Sequence, residues 1–253
     1  MVVDDEMQDE FGTMAAWTRE AVTELGADHA MPAACRGSGR PSGLDWLLAR
    51  LEPQSGGLLL DVGAGLGGPA AYARARAGVR PVCVDPMGQA SAATSALFGL
   101  PALVGEGARL PFMDRAAGLV WSLGTLCTTD DKATWLAELR RILRPGGRLG
   151  LLVVTATGES FSVPWGNAFP SVHELTALLT AAGFTVLDEI WSDELADADA
   201  VWQGREDAVE AAVRAAHGHD DRYAAIKLQE RRMGELLESG RIRGRLLVAA
   251  TSG

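Results

Sequence analysis

Two periods of apolar residues alternate along the chain. Short continuous runs, the mark of strands buried on both faces, recur as LLLD from Leu58, RPVCVD from Arg80, PALVGE from Pro101, GLVWSL from Gly118, GRLGLLVVT from Gly147, FTVLDEIWS from Phe184 and GRLLVAATS from Gly244. Between them the spacing relaxes to the helical three or four. Residues 69–77 and 87–98 predict helices, and residues 132–143 predict one with Leu136, Leu139 and Leu143 in a stripe, stopped by Pro145-Gly146-Gly147. Ser171 and Glu174 form a capping-box pattern ahead of Leu175, Leu178, Leu179 and Ala182. Seven strands alternating with helices predict an α/β fold with a doubly wound, seven-stranded, largely parallel sheet.

Flanking segments add to this frame. Residues 9–25 predict a helix ended by Gly26, MPAACRGSGRPSG reads as turn-rich and irregular, and a short helix follows with Leu44, Trp46, Leu47 and Leu51, Ser42 being its N-cap. Residues 193–240, between the last two strands, predict two helices, one carrying Trp202, Val209, Val213 and Ala216, the other Tyr223, Ile226, Met233 and Leu237. The expected organisation is a helical lid over 1–56, a ligand-binding core over 57–192, a helical cap over 193–240 and the last strand of the core over 241–253. Inserted segments at a sheet's ligand edge serve as lids or as plain structural helices.

The chemistry concentrates where the first run ends. Asp61 closes LLLD, Gly63, Gly65 and Gly67 follow at alternate positions, and Pro69 opens an alanine-rich helix. This predicts a strand, a tight turn without Cβ atoms and a helix N-terminus with unpaired N–H groups, placed where open α/β sheets bind ligands. Gly63, Gly65 and Gly68 also satisfy the dinucleotide fingerprint G-x-G-x-x-G, and Asp85 lies at a ribose-binding distance after them. The glycines alone therefore leave the cofactor open.

Composition narrows the classes. In 253 residues, 47% are apolar and 22% charged, an ordinary globular balance. A formal net charge of −10 offers no basic stripe for nucleic acid. No apolar window reaches the roughly 18 residues of a membrane span, and the acidic start MVVDDEMQDEF lacks the basic and apolar regions of a secretory signal. Cys35, Cys83 and Cys127 are odd in number and lack metal spacing, so reduced thiols in a cytoplasmic protein are expected, with no metal site.

The ordered motifs DVGAGLGG, VDP, GEGARLPF, WSLGTL and LRRILRPGG, over residues 58–155, resemble the class I S-adenosylmethionine-dependent methyltransferases, in particular the small-molecule type with the methyltransferase-11 pattern. The resemblance implies a Rossmann-like sheet with an antiparallel last strand, S-adenosylmethionine as cofactor with S-adenosylhomocysteine as product, and a small-molecule acceptor. It separates the two cofactors, because Asp61, Asp85 and Glu106 meet all three acidic positions of the family while a nicotinamide enzyme leaves Glu106 and ARLPF unexplained. It implies that Asp61 with the backbone of Gly63, Gly65 and Gly67 holds the methionine part and that Asp85, followed by Pro86, takes the ribose hydroxyls. Glu106, Gly107 and Ala108 would lie at the adenine, and Ser122 and Leu123 at the sulfonium. Arg36 is a candidate for the cofactor carboxylate, against a solvated surface arginine.

Two departures stand out. Ala117-Gly118 replaces the family's frequent Phe-Asp, and Cys127 stands where its histidine often does, which removes an obvious base. Cys127 and His173 remain the candidate catalytic residues, with Glu159, His217 and Asp130 behind them. His217 and His219 in GHGHDD read as a solvated turn. Trp17, Trp121, Trp165, Phe169 and Trp202 are available for an apolar acceptor pocket, and the loop 166–170 is expected to touch the acceptor. With no evident base, the alternatives are a methyltransferase scaffold used for cyclisation or elimination, an NAD-dependent oxidoreductase and a non-catalytic binding partner. An arginine-rich chain with only Lys132 and Lys227 fits a GC-rich bacterial genome and natural-product biosynthesis. Acceptor identity, a protein partner and self-association are left open.

Overall fold

The computed structural model describes residues 5–158, 161–164, 166–196 and 199–251. In chain order the elements are α1 (Asp5–Leu25), α2 (Ala30–Ala34), α3 (Pro41–Leu51), β1 (Leu58–Val62), α4 (Gly68–Ala77), β2 (Arg80–Asp85), α5 (Gly88–Phe98), β3 (Ala102–Val104), β4 (Ala117–Leu123), α6 (Lys132–Ile142), β5 (Leu143–Ala156), α7 (Val172–Ala181), β6 (Phe184–Trp191), α8 (Ala200–His217), α9 (Asp221–Glu238) and β7 (Ile242–Thr251). The seven strands form one sheet in the order β3-β2-β1-β4-β5-β7-β6. Neighbours from β3 to β5 run parallel, and β7 inserts antiparallel between β5 and β6. This is the Rossmann-like sheet with an antiparallel last strand that the motif order implies. The strand order reverses at β1 and β4, so the crevice above their carboxyl ends is the topological switch point where such sheets bind ligands.

Each face of the sheet is covered because its strands are apolar on both sides. One face packs on α6 and α7 through Leu136, Leu139, Ile142, Leu175 and Leu179. The other packs on α3 and α4 through Leu44, Leu47, Leu51 and Tyr72. A third core, away from the sheet, joins α1 to the inserted helices through Trp17, Val22, Val209, Val213, Tyr223 and Ile226. The inserted pair is thereby clamped to the N-terminal segment and not free in solvent.

Three local expectations are corrected. Met31 to Ala34 are helical, so the segment read as irregular begins as a short helix. Pro41 occupies the first turn of α3 and Arg40 the N-cap position, which places Ser42 inside the helix. Pro145-Gly146-Gly147 ends α6 but does not precede a separate strand; β5 begins at Leu143 and bulges, pairing Ala117 with Leu143 and then Leu119 with Arg148. The capping box at α7 forms as read, with the Ser171 N–H donating to Glu174 at 2.7 Å and the Glu174 N–H to Ser171 Oγ at 3.2 Å.

Leu139 is fully buried between α6 and the sheet. Leu139→Ala should lower unfolding stability by roughly 2–5 kcal/mol in a denaturant titration while leaving the fold intact.

Candidate functional site

The glycine turn leaves β1 with its backbone in conformations that side chains rarely adopt. Gly63 and Gly67 both have φ +75°. A Cβ at Gly63 would stand 2.2 Å from Thr125, and one at Gly67 would stand 2.5 Å from Thr94. Thr94 is fully buried and its hydroxyl donates to the Gly65 carbonyl at 2.9 Å. The two threonines thus hold the turn from either side. At Gly65 nothing lies within 4 Å of the Cβ position, so that edge of the turn faces open space.

Asp61 and Asp85 are brought together beneath this turn. Asp85 is 4% exposed; its Oδ2 accepts the Gly65 N–H at 2.8 Å and its Oδ1 the Met87 N–H at 3.0 Å. Burial raises its pKa, and those two backbone donors oppose the rise. Its carboxylate therefore fixes the glycine loop to the start of α5, and each oxygen keeps capacity for a further donor. Asp61 is 2% exposed and its Oδ2 has no hydrogen-bond partner. Burial pushes its pKa up to about 7; the Trp121 indole N–H pulls it down in part, without reaching hydrogen-bonding geometry, and the Asp85 charge pushes it further up. A buried carboxylate left without a partner is costly, and a ligand cation or donor at that oxygen would relieve the cost.

A strap formed by residues 34–37 roofs the switch point. A Cβ on Gly68 would lie 2.4 Å from the Ala34 carbonyl carbon and 2.6 Å from the Cys35 nitrogen, and one on Gly124 would lie 2.8 Å from the Gly37 carbonyl oxygen. The strap therefore touches the start of α4 on one side and the end of β4 on the other. Arg36 lies in its middle and binds Glu210 on α8 at 2.5 Å and Glu230 on α9 at 3.2 Å. The solvated-arginine reading is thus incomplete: the guanidinium is shared with the inserted helices.

The remaining expected residues fall into three groups. Gly107 is buried against the Trp135 ring, Ala108 is half-buried and Glu106 is exposed, all past the end of β3 and across β2 from the glycine turn. Pro86 follows Asp85 into α5 and is half-buried. Ser122 and Leu123 lie at the end of β4 but are buried, Ser122 sharing a hydrogen bond with Thr125 and Leu123 lying in the α3–α4 core, so only their backbone is placed to face a ligand.

Among the base candidates, Cys127 is buried, donates to the Gly124 carbonyl at 3.3 Å and has its thiol pKa raised by burial, which keeps it protonated at neutral pH. His173 is exposed on α7 and lines a cavity of about 580 Å³ with Trp191 and Arg243 at the β5–β7–β6 end. β7 and β1 are three strand spacings apart, about 14 Å. The structure does not bring His173 to the glycine turn. Asp130 is exposed. His217 is no solvated turn residue: it ends α8, stacks on Trp17 at 4.4 Å and pairs with Glu20 at 3.3 Å. Glu159 lies outside the described residues.

Of the aromatic set, Trp121 is fully buried beside Asp61 and Trp17 lies in the α1–α8–α9 core. Trp202 meets Tyr72 edge-on at 6.2 Å and donates to Glu206 at 3.1 Å, on the side of α8 that faces the strap. Phe169 is half-buried near Phe161, in a loop tied to β4's exit by the Ala168 N–H on the Cys127 carbonyl at 2.6 Å. Trp165 lies outside the described residues. Thr94, Thr125, Trp135 and the glutamates of α8 and α9 were not singled out by sequence; only the small-residue pattern of the turn hinted that something must press on it. Among the described residues no group of three or more His, Cys, Asp or Glu could hold a metal, and no helix is long and apolar enough to cross a membrane.

Comparison with known proteins agrees with this arrangement. The methyltransferase domain model, Methyltransf_11, matches residues 60–151, the stretch from β1 through most of β5. Methyltransferase GfsG of Streptomyces halstedii is 26% identical over 164 residues, covering 56% of this chain and 58% of that protein. O-methyltransferase resE of Aspergillus sclerotiorum is 29% identical over 159 residues, covering 55% and 59%. The chain thus spans somewhat more than half the length of these curated relatives. The solved 4+2 cyclase SpnF shares the fold, with a TM-score of 0.67 and 22% identity over 83% of this chain and 79% of that one. Sheet order and these matches define a Rossmann-like methyltransferase fold. Residues 60–151 match the methyltransferase domain, and these comparisons support the class I S-adenosylmethionine-dependent methyltransferase family for that stretch.

The Asp61 carboxyl gives the site a pH signature. Its folded pKa is raised from 3.8 to about 7, so its contribution to stability is fully present below about pH 4 and is lost as pH rises through about 7. Asp61→Asn should therefore stabilise the ligand-free protein at pH 8 by roughly 2–4 kcal/mol relative to parent and do little at pH 4, measured by thermal unfolding across that range.

Proposed function

We propose that the protein transfers the methyl group of S-adenosylmethionine to a small-molecule acceptor. The observation that carries this is the orphaned Asp61 Oδ2, buried at the end of β1 beside Asp85 and under an open glycine turn. That oxygen suits the cofactor's ammonium, and the remaining capacity of Asp85 suits the ribose hydroxyls. Gly63, Gly65 and Gly67 would offer backbone to the methionine part. Glu106, Gly107 and Ala108 would flank the adenine, and the backbone of Ser122 and Leu123 the sulfonium. Arg36 is within the strap above, where a guanidinium can meet the carboxylate.

When bound, S-adenosylmethionine supplies a methyl carbon activated by a positive sulfonium. The work left to this chain is to align the acceptor and to exclude water. In this reading residues 1–56 form a lid over the core 57–192, the helices of 193–240 form a cap, and 241–253 complete the core. Trp202, Phe169 and Trp165 would contribute to an apolar acceptor surface, with Trp17 supporting it from behind. The three cysteines are unpaired and buried, which supports work in the cytoplasm. Similarity to a tocopherol O-methyltransferase of Arabidopsis thaliana, 31% identical over 120 residues covering 42% of this chain and 34% of that protein, supports a small-molecule acceptor, and the arginine-rich composition supports a role in bacterial natural-product biosynthesis.

A second reading has its own support. Cys127 holds its proton, and His173 lies on α7 in a cavity lined by Ala156, Trp191 and Arg243 and not by the glycine turn, so neither is placed as a base there. The fold is shared with a 4+2 cyclase. Cyclisation or elimination on a cofactor-bound scaffold is the alternative, and it separates from methylation by whether bound S-adenosylmethionine is consumed.

Calorimetric titration should give micromolar binding of S-adenosylhomocysteine and none of NAD. Asp85→Asn keeps only one acceptor for the Gly65 and Met87 N–H groups, so it should weaken the former by about 10- to 100-fold and lower the thermal midpoint while a cooperative transition is retained. Parent-like affinity in that variant contradicts the ribose assignment.

A further inference from the structure

Arg36 is held by two carboxylates that are also held by a second cation. Lys227 on α9 pairs with Glu210 and, at 2.6 Å, with Glu230. Tyr223 donates to Glu210 at 3.0 Å. Loss of Arg36 from this cluster would therefore leave both glutamates still on Lys227. The cluster also joins three separate elements, since Arg36 belongs to the strap, Glu210 to α8, and Lys227 and Glu230 to α9. Apolar contact fixes α8 and α9 to α1 and α2, and Trp202 of α8 meets Tyr72 of α4; the Arg36 pairs add a polar tie from both inserted helices to the strap over the switch point.

The strap's contacts put Arg36 at the mouth of the glycine turn. Its neighbours Cys35 and Gly37 lie against Gly68 and Gly124, the two glycines that flank the crevice between β1 and β4. The Arg36 side chain is 45% exposed, and those of Glu210 and Glu230 are 23% and 35% exposed. Pairs at that exposure are individually weak and exchange partners readily.

The geometry points to a latch that reads the cofactor's carboxylate. Arg36 ties the inserted helices to the strap while the turn is empty of ligand, and transfers to the amino-acid carboxylate of the cofactor when it binds, leaving Glu210 and Glu230 on Lys227. Cofactor binding then loosens α8 and α9 on the strap side, which opens the way for an acceptor beneath them. The order of events follows: cofactor first, acceptor second. This inference rests on the proposed reading that the turn takes S-adenosylmethionine.

Two thioethers separate the latch from that reading. S-adenosylhomocysteine carries the amino-acid carboxylate and 5′-methylthioadenosine does not. If Glu210 and Glu230 compete for Arg36, Glu210→Gln and Glu230→Gln should each tighten S-adenosylhomocysteine about three- to tenfold by calorimetry and leave 5′-methylthioadenosine unchanged. In the parent protein, amide hydrogen exchange in residues 200–238 should rise with S-adenosylhomocysteine and not with 5′-methylthioadenosine. Unchanged or weakened S-adenosylhomocysteine binding in both variants, or an equal shift for the two ligands, overturns the latch while the cofactor reading stands. Failure of the parent to bind either ligand overturns both. The exchange measurement needs no variant, so slower or unchanged exchange in 200–238 counts against the latch on its own.

Discussion

A carboxylate buried without a partner is the constraint around which this molecule is arranged. Asp61 stands at the end of β1 with one oxygen unmatched, near a second buried acid, Asp85, in a protein interior that opposes both charges. Folding alone gives no reason to keep it there, since a residue of neutral polarity would spare the desolvation. The surroundings are tightly built around it: side chains at Gly63 and Gly67 would strike Thr125 and Thr94, and Gly65 leaves the outer edge of the turn open.

Around that point the fold supplies rigidity in layers. Asp85 ties the turn to α5 through the Gly65 and Met87 N–H groups, and Thr94 and Thr125 press on Gly67 and Gly63 from opposite sides. The sheet beneath is apolar on both faces and clamped by helices, so its carboxyl edge is a fixed platform. Above it the strap and the inserted helices form a second body with its own core. Within that cover the strap and the inserted helices are tied by partly exposed polar pairs at Arg36, while the cover meets the platform through apolar contacts such as Trp202 on Tyr72. A rigid floor and a roof with weakly tied parts suit a reaction that must admit two partners and then exclude water.

Much of this was legible in sequence because it rests on local rules. Continuous apolar runs and three- to four-residue spacing located all seven strands and the helices between them, and the acids closing the first three strands marked the ligand edge. What escaped depends on contacts between distant segments. Gly107 reads as a turn glycine until the Trp135 ring is seen against it. His217 reads as solvated from GHGHDD, whereas Trp17, 200 residues earlier in the chain, offers it a flat apolar face. Arg36 was legible as a candidate anion ligand, but its competing partners Glu210 and Glu230 sit on helices that follow it by 174 and 194 positions. Pro145-Gly146-Gly147 predicts a helix to Leu143 and a strand from Gly147, whereas α6 ends at Ile142 and a bulge carries those three residues inside β5.

The central claim is that Asp61 waits for the cofactor's cationic group. A cation placed at its free oxygen must draw its pKa down from about 7, so binding at pH 7 has to release protons. Calorimetric titration of S-adenosylhomocysteine at pH 7, in two buffers of different ionisation enthalpy, measures that release. The account predicts on the order of half a proton released per ligand bound by the parent and none by Asp61→Asn. Binding without proton release in the parent, or the same release in the variant, would contradict it.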